Sequence, residues 1–205
     1  MASTLIVDQL QKTGGSTTAL TLPTSNASAS QYLQNDGAGA LSWATVSIPA
    51  SGLTHSSTWR LTTTFANSAP VINANLEAVD APVGFGSIGA AMTESSGVFT
   101  FPVTGIWLIQ GHFYYWQNGN GSSAYGTGYL KTTTNDSTYA FAASCRTSDY
   151  YSAYGSMTVQ YIFDVTDTAN CKCYFEVLQG LATAEIKGDT DVNKTYFTFT
   201  KLGDT

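Results

Sequence analysis

Two histidines, three cysteines and fourteen carboxylates are the side chains with which this 205-residue chain could do acid–base, thiol or metal chemistry. His55 sits beside Pro49 and Gly52 in a linker-like stretch. His112 is flanked by Gly111 and Phe113 inside an aromatic strand, where a packed imidazole is a better reading than a general base. A hydrolase acting on polysaccharide would need two carboxylates at a fixed separation. Glu77 with Asp80, or Glu94 with Asp191, could supply such a pair, but no spacing in the sequence brings either together. Gly-x-Ser-x-Gly, phosphate-loop and His-Glu-x-x-His patterns are absent from the sequence. Asp189 and Asp191, two apart in a loop, are the candidate ligands for a hard cation such as calcium, and a solvated turn is the better reading of the same pair. Cys145, Cys171 and Cys173 form no even disulfide set. Cys171 and Cys173 share a strand face as small apolar side chains, and zinc would require further ligands. The expectation is a protein with no catalytic residue, no bound metal and no cofactor.

Composition narrows the classes further. Only 11% of residues are charged and the net charge is −6. A surface so poor in Lys and Arg does not suit a phosphate backbone, so no nucleic-acid partner is expected. No run of about 18 apolar residues and no basic-then-apolar leader occurs, so neither a membrane span nor a signal peptide is predicted. The chain reads as one made and assembled in a cytoplasm.

The elements follow from period and punctuation. Gly97-Val-Phe-Thr-Phe-Pro-Val-Thr-Gly-Ile-Trp107 reads as strand, tight corner, strand. Val98 to Phe101 suit a pleated surface, Pro102 breaks the ladder, and Gly105 allows a positive φ. Ile106 to Trp116 then continues as a strand apolar enough on both faces to be covered. Trp59, Leu61, Thr63 and Phe65 alternate with Arg60, Thr62 and Thr64 as a half-buried strand. Further strands are predicted at Tyr125–Thr133, Tyr139–Ser144 and Thr195–Lys201, with a turn at Asn118–Ser123. Met157 to Val165 and Cys171 to Val177 alternate cleanly around Asp167–Asn170, which predicts a hairpin. Strands at intervals of about 8 to 12 residues indicate an all-β sandwich or barrel. Tyr150, Tyr151 and Tyr154, with Trp116, are the candidate ligand-facing aromatics. Tyr/Ser/Gly sequence of this kind serves recognition loops and ordinary strand edges alike.

Residues 1 to 55 lack a helical or heptad period and a core of their own. Leu5, Ile6, Val7 and Leu10 form an apolar run before the Gly14-Gly15 break. Such a segment is either a disordered tail or an extended arm whose strands pair with sister chains or a larger host. The arm is the preferred reading, with those four residues as its docking end.

The spacing Gly97-x-Phe99-x-x-Pro102-x-x-Gly105-x-Trp107 resembles the first-strand motif of complement-type globular heads, which share a trimeric jelly roll with the tumour necrosis factor ligands. Trp107 stands where that family usually has tyrosine, and the chain ends on Phe197-Thr198-Phe199 without the family's glycine. The N-terminal pattern, with Leu-Thr-Leu-Pro-Thr and Leu-Gln-Asn-Asp-Gly-x-Gly-x-Leu-Ser-Trp, is similar to the attachment and stalk regions of virion fibre and decoration proteins of tailed bacteriophages. Together the resemblances imply an extended arm over 1–55 and a TNF-like jelly-roll head over 56–205. They imply a homotrimer carried on the virion through a major capsid protein or tail component. The alternative is a receptor- or carbohydrate-binding head for a cell-surface glycan, and a third reading is the polysaccharide hydrolase.

Overall fold

The computed structural model describes residues 9–10, 19–45, 52–66, 71–117, 124–149, 153–180 and 184–205, and none of them lies in a helix. Leu5, Ile6, Val7, the Gly14-Gly15 break, the Asn118–Ser123 turn, Tyr150 and Tyr151 lie outside the described residues. The chain divides into two compact units, Met1–Ser51 and Gly52–Thr205.

The first unit contains β1 (Gln9–Leu10) paired antiparallel with β2 (Leu20–Thr21), and β3 (Gln31–Asn35) paired antiparallel with β4 (Leu41–Thr45). An Asx-type turn closes the second pair. The Asp36 carboxylate accepts from the N–H of Ala38 and Ala40, and those bonds hold its pKa below the usual value. Tyr32 and Leu33 are exposed, and no side chain described in this unit is fully buried.

The second unit is a two-layer sandwich. Its strands are β5 (Ser56–Leu61), β6 (Phe65–Ala66), β7 (Leu76–Ala78), β8 (Thr93–Ser95), β9 (Val98–Thr100) and β10 (Gly105–Gln117). They are followed by β11 (Ala124–Thr133), β12 (Ala140–Asp149), β13 (Tyr154–Val165), β14 (Lys172–Gln179), β15 (Ala184–Ile186) and β16 (Tyr196–Gly203). One sheet of seven strands is centred on β10, which pairs with β13 on one side and with β16 and β15 on the other. Beyond them lie β5 and β7, and β6. The other sheet runs β12-β11-β14-β9-β8.

The Gly97 motif is the corner by which the chain crosses from one sheet to the other, β9 to β10. Gly97 has φ +86°, and a Cβ there would meet the Ile72 carbonyl oxygen at 2.4 Å, so only glycine fits. Gly105 has φ +144° and is packed under Lys201. Phe99, Phe101 and Trp107 are fully buried around the corner, and the Trp107 indole donates to the Val103 carbonyl at 3.3 Å.

Three expectations are corrected. Trp59 to Phe65 is not one strand, because β5 ends at Leu61 and the chain resumes pairing only at Phe65. Arg60, assigned to the solvent-facing side of that strand, is completely buried. β13 and β14 do not form a hairpin, since β13 pairs with β10 while β14 pairs with β11 and β9. Asp167 to Asn170 is instead an arch between the layers, drawn tight by the Asp167 carboxylate accepting from Ala169 N–H and Asn170 Nδ2. An arch and a hairpin both turn one apolar face of each strand towards a core, so alternation alone does not separate them.

Candidate functional site

The outer face of the seven-stranded sheet carries the feature that alternation on β10 predicts but a single chain leaves open. Trp107, Ile109, Phe113 and Tyr115 point into the core and are buried, while Ile106, Leu108, Gln110, His112, Tyr114 and Trp116 point outward and stay partly exposed. Antiparallel pairing sets Tyr154 beside Trp116 and Thr158 beside His112. On the other flank it sets Tyr196 beside His112.

The rings interlock across the strands. Tyr114 and Tyr154 stack with centroids 5.5 Å apart, Trp116 and Tyr154 at 5.9 Å, and His112 and Tyr196 at 5.1 Å. Lys187 Nζ lies 3.8 Å over the Trp116 ring and pairs with Glu185 at 2.5 Å. Tyr154 keeps 58% of its surface exposed, and Ile162 on the same strand 59%. Of the outward residues of β10 and β13 and of β16 through Thr200, Asp164 is the only acid, and no Lys or Arg occurs among them. A concentration of aromatic side chains with charge removed is the composition of an interface centre.

His112 is the one imidazole on this face. Its Nδ1 lies 3.3 Å from Thr158 Oγ1, and partial burial lowers its pKa. The neutral ring is therefore the form the fold favours. The sign is fixed by linkage: its contribution is fully present above about pH 6.5, the unfolded value, and is lost as pH falls through the lower folded value. The thermal midpoint of the full chain should drop between pH 7 and pH 5 by an amount that His112→Gln diminishes. An identical pH profile in the variant would contradict this placement.

The other predicted site residues fall elsewhere. Of the ligand-facing set, Trp116 and Tyr154 are brought together on this face, while Tyr150 and Tyr151 lie outside the described residues. Asp189 does not reach towards an open cavity. Its Oδ1 accepts from the N–H of Asp191 and Val192 and its Oδ2 from Lys194 Nζ at 2.7 Å. The Lys194 bond first, then those N–H groups, hold its pKa at about 2. Among the described residues no group of three or more His, Cys, Asp or Glu lies close enough to hold a metal ion. Cys171 and Cys173 are buried, Cys145 half-buried, and all three are free thiols.

Glu77 and Asp80 do converge, though not as a catalytic pair. Arg60 Nε donates to Glu77 Oε1 and Nη2 to Asp80 Oδ1, each at 2.7 Å, and Nη1 donates to the Ala81 carbonyl at 2.8 Å. One guanidinium thus bridges both carboxylates and fastens the segment after β7 to the sheet. Glu94 is likewise structural, accepting from Gly97 N–H at 2.5 Å at the start of the corner.

No family model matches the chain, and no curated protein matches it. Solved structures do. Eiger TNF from S. frugiperda superposes with a TM-score of 0.54 at 14% identity, covering 75% of this chain and 96% of that one. Murine APRIL at pH 8.5 superposes with a TM-score of 0.52 at 13% identity, covering 72% and 98%. Murine APRIL at pH 5.0 gives 0.52 at 14%, covering 72% and 99%. Identities this low speak for the fold alone, and the fold of this chain is the jelly roll of tumour-necrosis-factor-type proteins.

Proposed function

We propose that this chain is a structural protein of a tailed-phage virion. In this reading three copies of the jelly-roll head associate through the outer face of the seven-stranded sheet. The N-terminal unit attaches them to a capsid or tail component, as a decoration protein or fibre. The observation that carries the reading is the aromatic face around Tyr114, Trp116, Tyr154 and Tyr196, where the charges beside Trp116, Lys187 and Glu185, are paired with each other. A three-fold axis closes the contact between such a face and a neighbouring copy into a finite ring. The paired strands of the first unit, with Tyr32 and Leu33 exposed, suit a segment that completes its burial on a larger host.

This reading assigns no catalysis; Glu77 and Asp80 are both held by Arg60, and Glu94 accepts from the Gly97 N–H. Ile6→Asp should prevent the chain from copurifying with virus particles while leaving its oligomeric state unchanged. Incorporation of the variant at wild-type levels would contradict the anchoring role, and absence of the wild-type chain from particles would contradict the virion reading itself.

A further inference from the structure

The second sheet has an outer face of its own, and a β-bulge on it does something that strand alternation would not. Along β11 and β12 the register runs Tyr129 to Ser144 and Leu130 to Ala143, then shifts so that Lys131 meets Phe141. Ala142 is the extra residue. In unbroken alternation Phe141 would share a phase with Ala143 and Cys145 and turn inward. With the bulge, Phe141 stands on the outer face in line with Ser144 and Tyr129. Bulges re-aim side chains in this way and also protect sheet edges, and β12 is an edge. Edge protection alone would call for a polar or charged residue there, whereas this bulge sets out a phenylalanine with 65% of its surface in solvent.

The surroundings of Phe141 form a shallow cleft of about 350 Å³ lined by Tyr129, Phe141, Ala142, Ala143 and Ser144. That volume lies in the range of about 300–1,000 Å³ found for small-molecule sites. Tyr129 and Phe141 are in contact, inclined at 60° with centroids 5.0 Å apart, and together form one aromatic wall of the cleft. Beside that wall the small Ala142 and Ala143 leave the cleft open, and the exposed Ser144 adds a hydroxyl.

The cation beside Phe141 is paired, while Arg146, two residues beyond Ser144, donates to Thr127 Oγ1 and lies over the Tyr125 ring. Lys131 Nζ lies 4.2 Å over the Phe141 ring and pairs with Glu176 Oε1 at 2.9 Å, and both side chains are largely covered, at 16% and 13% exposure. Glu176 Oε1 also accepts from the Tyr174 hydroxyl at 3.2 Å. A ligand meeting this cleft finds ring faces, hydroxyls and an internally neutralised ion pair. A neutral pyranose has the complementary form, with one C–H face to lie on a ring and hydroxyls around its edge to take hydrogen bonds.

We propose that the outer face of the five-stranded sheet, centred on Phe141 and Tyr129, is a binding site for neutral pyranose-containing glycans. It is separate from the Trp116–Tyr154 cluster on the opposite sheet and rests on neither the trimer nor the virion reading. A glycan-binding role for the aromatics of β10 and β13 would compete with their use in assembly. The site on β11 and β12 does not.

The test uses the full chain on an array of neutral oligosaccharides of hexoses and N-acetylhexosamines, printed beside sialylated and uronic-acid-containing ones, followed by calorimetry with the best neutral binder. Saturable binding to a neutral glycan is expected, weakened about tenfold or more by Phe141→Ala. Because Phe141 is exposed, that variant should keep the wild-type thermal midpoint. Should it not, Ser144→Arg, which fills the cleft from an exposed position, must abolish the binding instead. No saturable neutral binding, binding of acidic glycans only, or binding indifferent to both substitutions overturns the proposal.

Discussion

Phe99→Ala should lower the unfolding free energy by about 3–5 kcal/mol, the usual cost of emptying a fully buried phenylalanine site. Phe99 is completely buried on β9, and its ring is the point where the two sheets meet. It lies 4.9 Å from Phe199 and 6.0 Å from Phe197 on β16, 5.7 Å from Trp59 on β5, and 6.0 Å from Phe175 on β14. Phe175 and Phe197 are themselves stacked face to face across the core at 3.8 Å. Those neighbours are large, rigid rings held from both layers, so they cannot collapse into the space that alanine would leave. Against a typical total of about 5–15 kcal/mol, such a loss removes a large part of the stability of the head. Urea unfolding at fixed protein concentration checks it, with Phe99→Leu as the variant that restores most of the volume. A loss under about 1 kcal/mol for Phe99→Ala would mean that the motif around Gly97 is not a structural centre.

Charging the aromatic face should have its largest effect on association. Tyr154→Asp, combined with Ile162→Asp, replaces two residues more than half exposed in the single chain, so the fold of the head should be little affected. In a symmetric assembly each substitution is repeated in every copy, and like charges are brought together in a region that excludes water. The expected outcome is dissociation at micromolar concentration, a weakening of at least about a hundredfold, equivalent to about 2.8 kcal/mol or more. Sedimentation velocity over a concentration series reads it directly. Variants that stay associated as wild type would remove this face from the assembly.

The sequence carried the path of the chain better than its partnerships. Gly97, Phe99, Pro102, Gly105 and Trp107 are legible because each has a local reason to be there: a positive φ, a buried ring, a broken ladder. The alternation of β10, β13, β14 and β16 is likewise local and holds in the structure, except at Tyr161 on the core-facing side of β13, which stays exposed. Pairing across distance is not local. Nothing near Arg60 announces that Glu77 and Asp80 will come to its guanidinium, and a charged residue in a period-two strand is ordinarily placed in solvent. The arch at Asp167–Asn170 carries the same turn residues as a hairpin. The bulge at Ala142 leaves no mark in composition, so the outward position of Phe141, and with it the cleft beside Tyr129, could be found only from the register. Trp116 and Tyr154, by contrast, were identifiable as exposed aromatics, but their stacking with Tyr114 required the strand order.

The central claim is that the outer face of the seven-stranded sheet joins three copies of this chain. Its most direct test is the mass of the full chain in solution by light scattering, measured over a range of concentrations. The account predicts a single species of three times the 21.7 kDa chain mass, stable on dilution to the low micromolar range. A species of one chain mass across that range would contradict it.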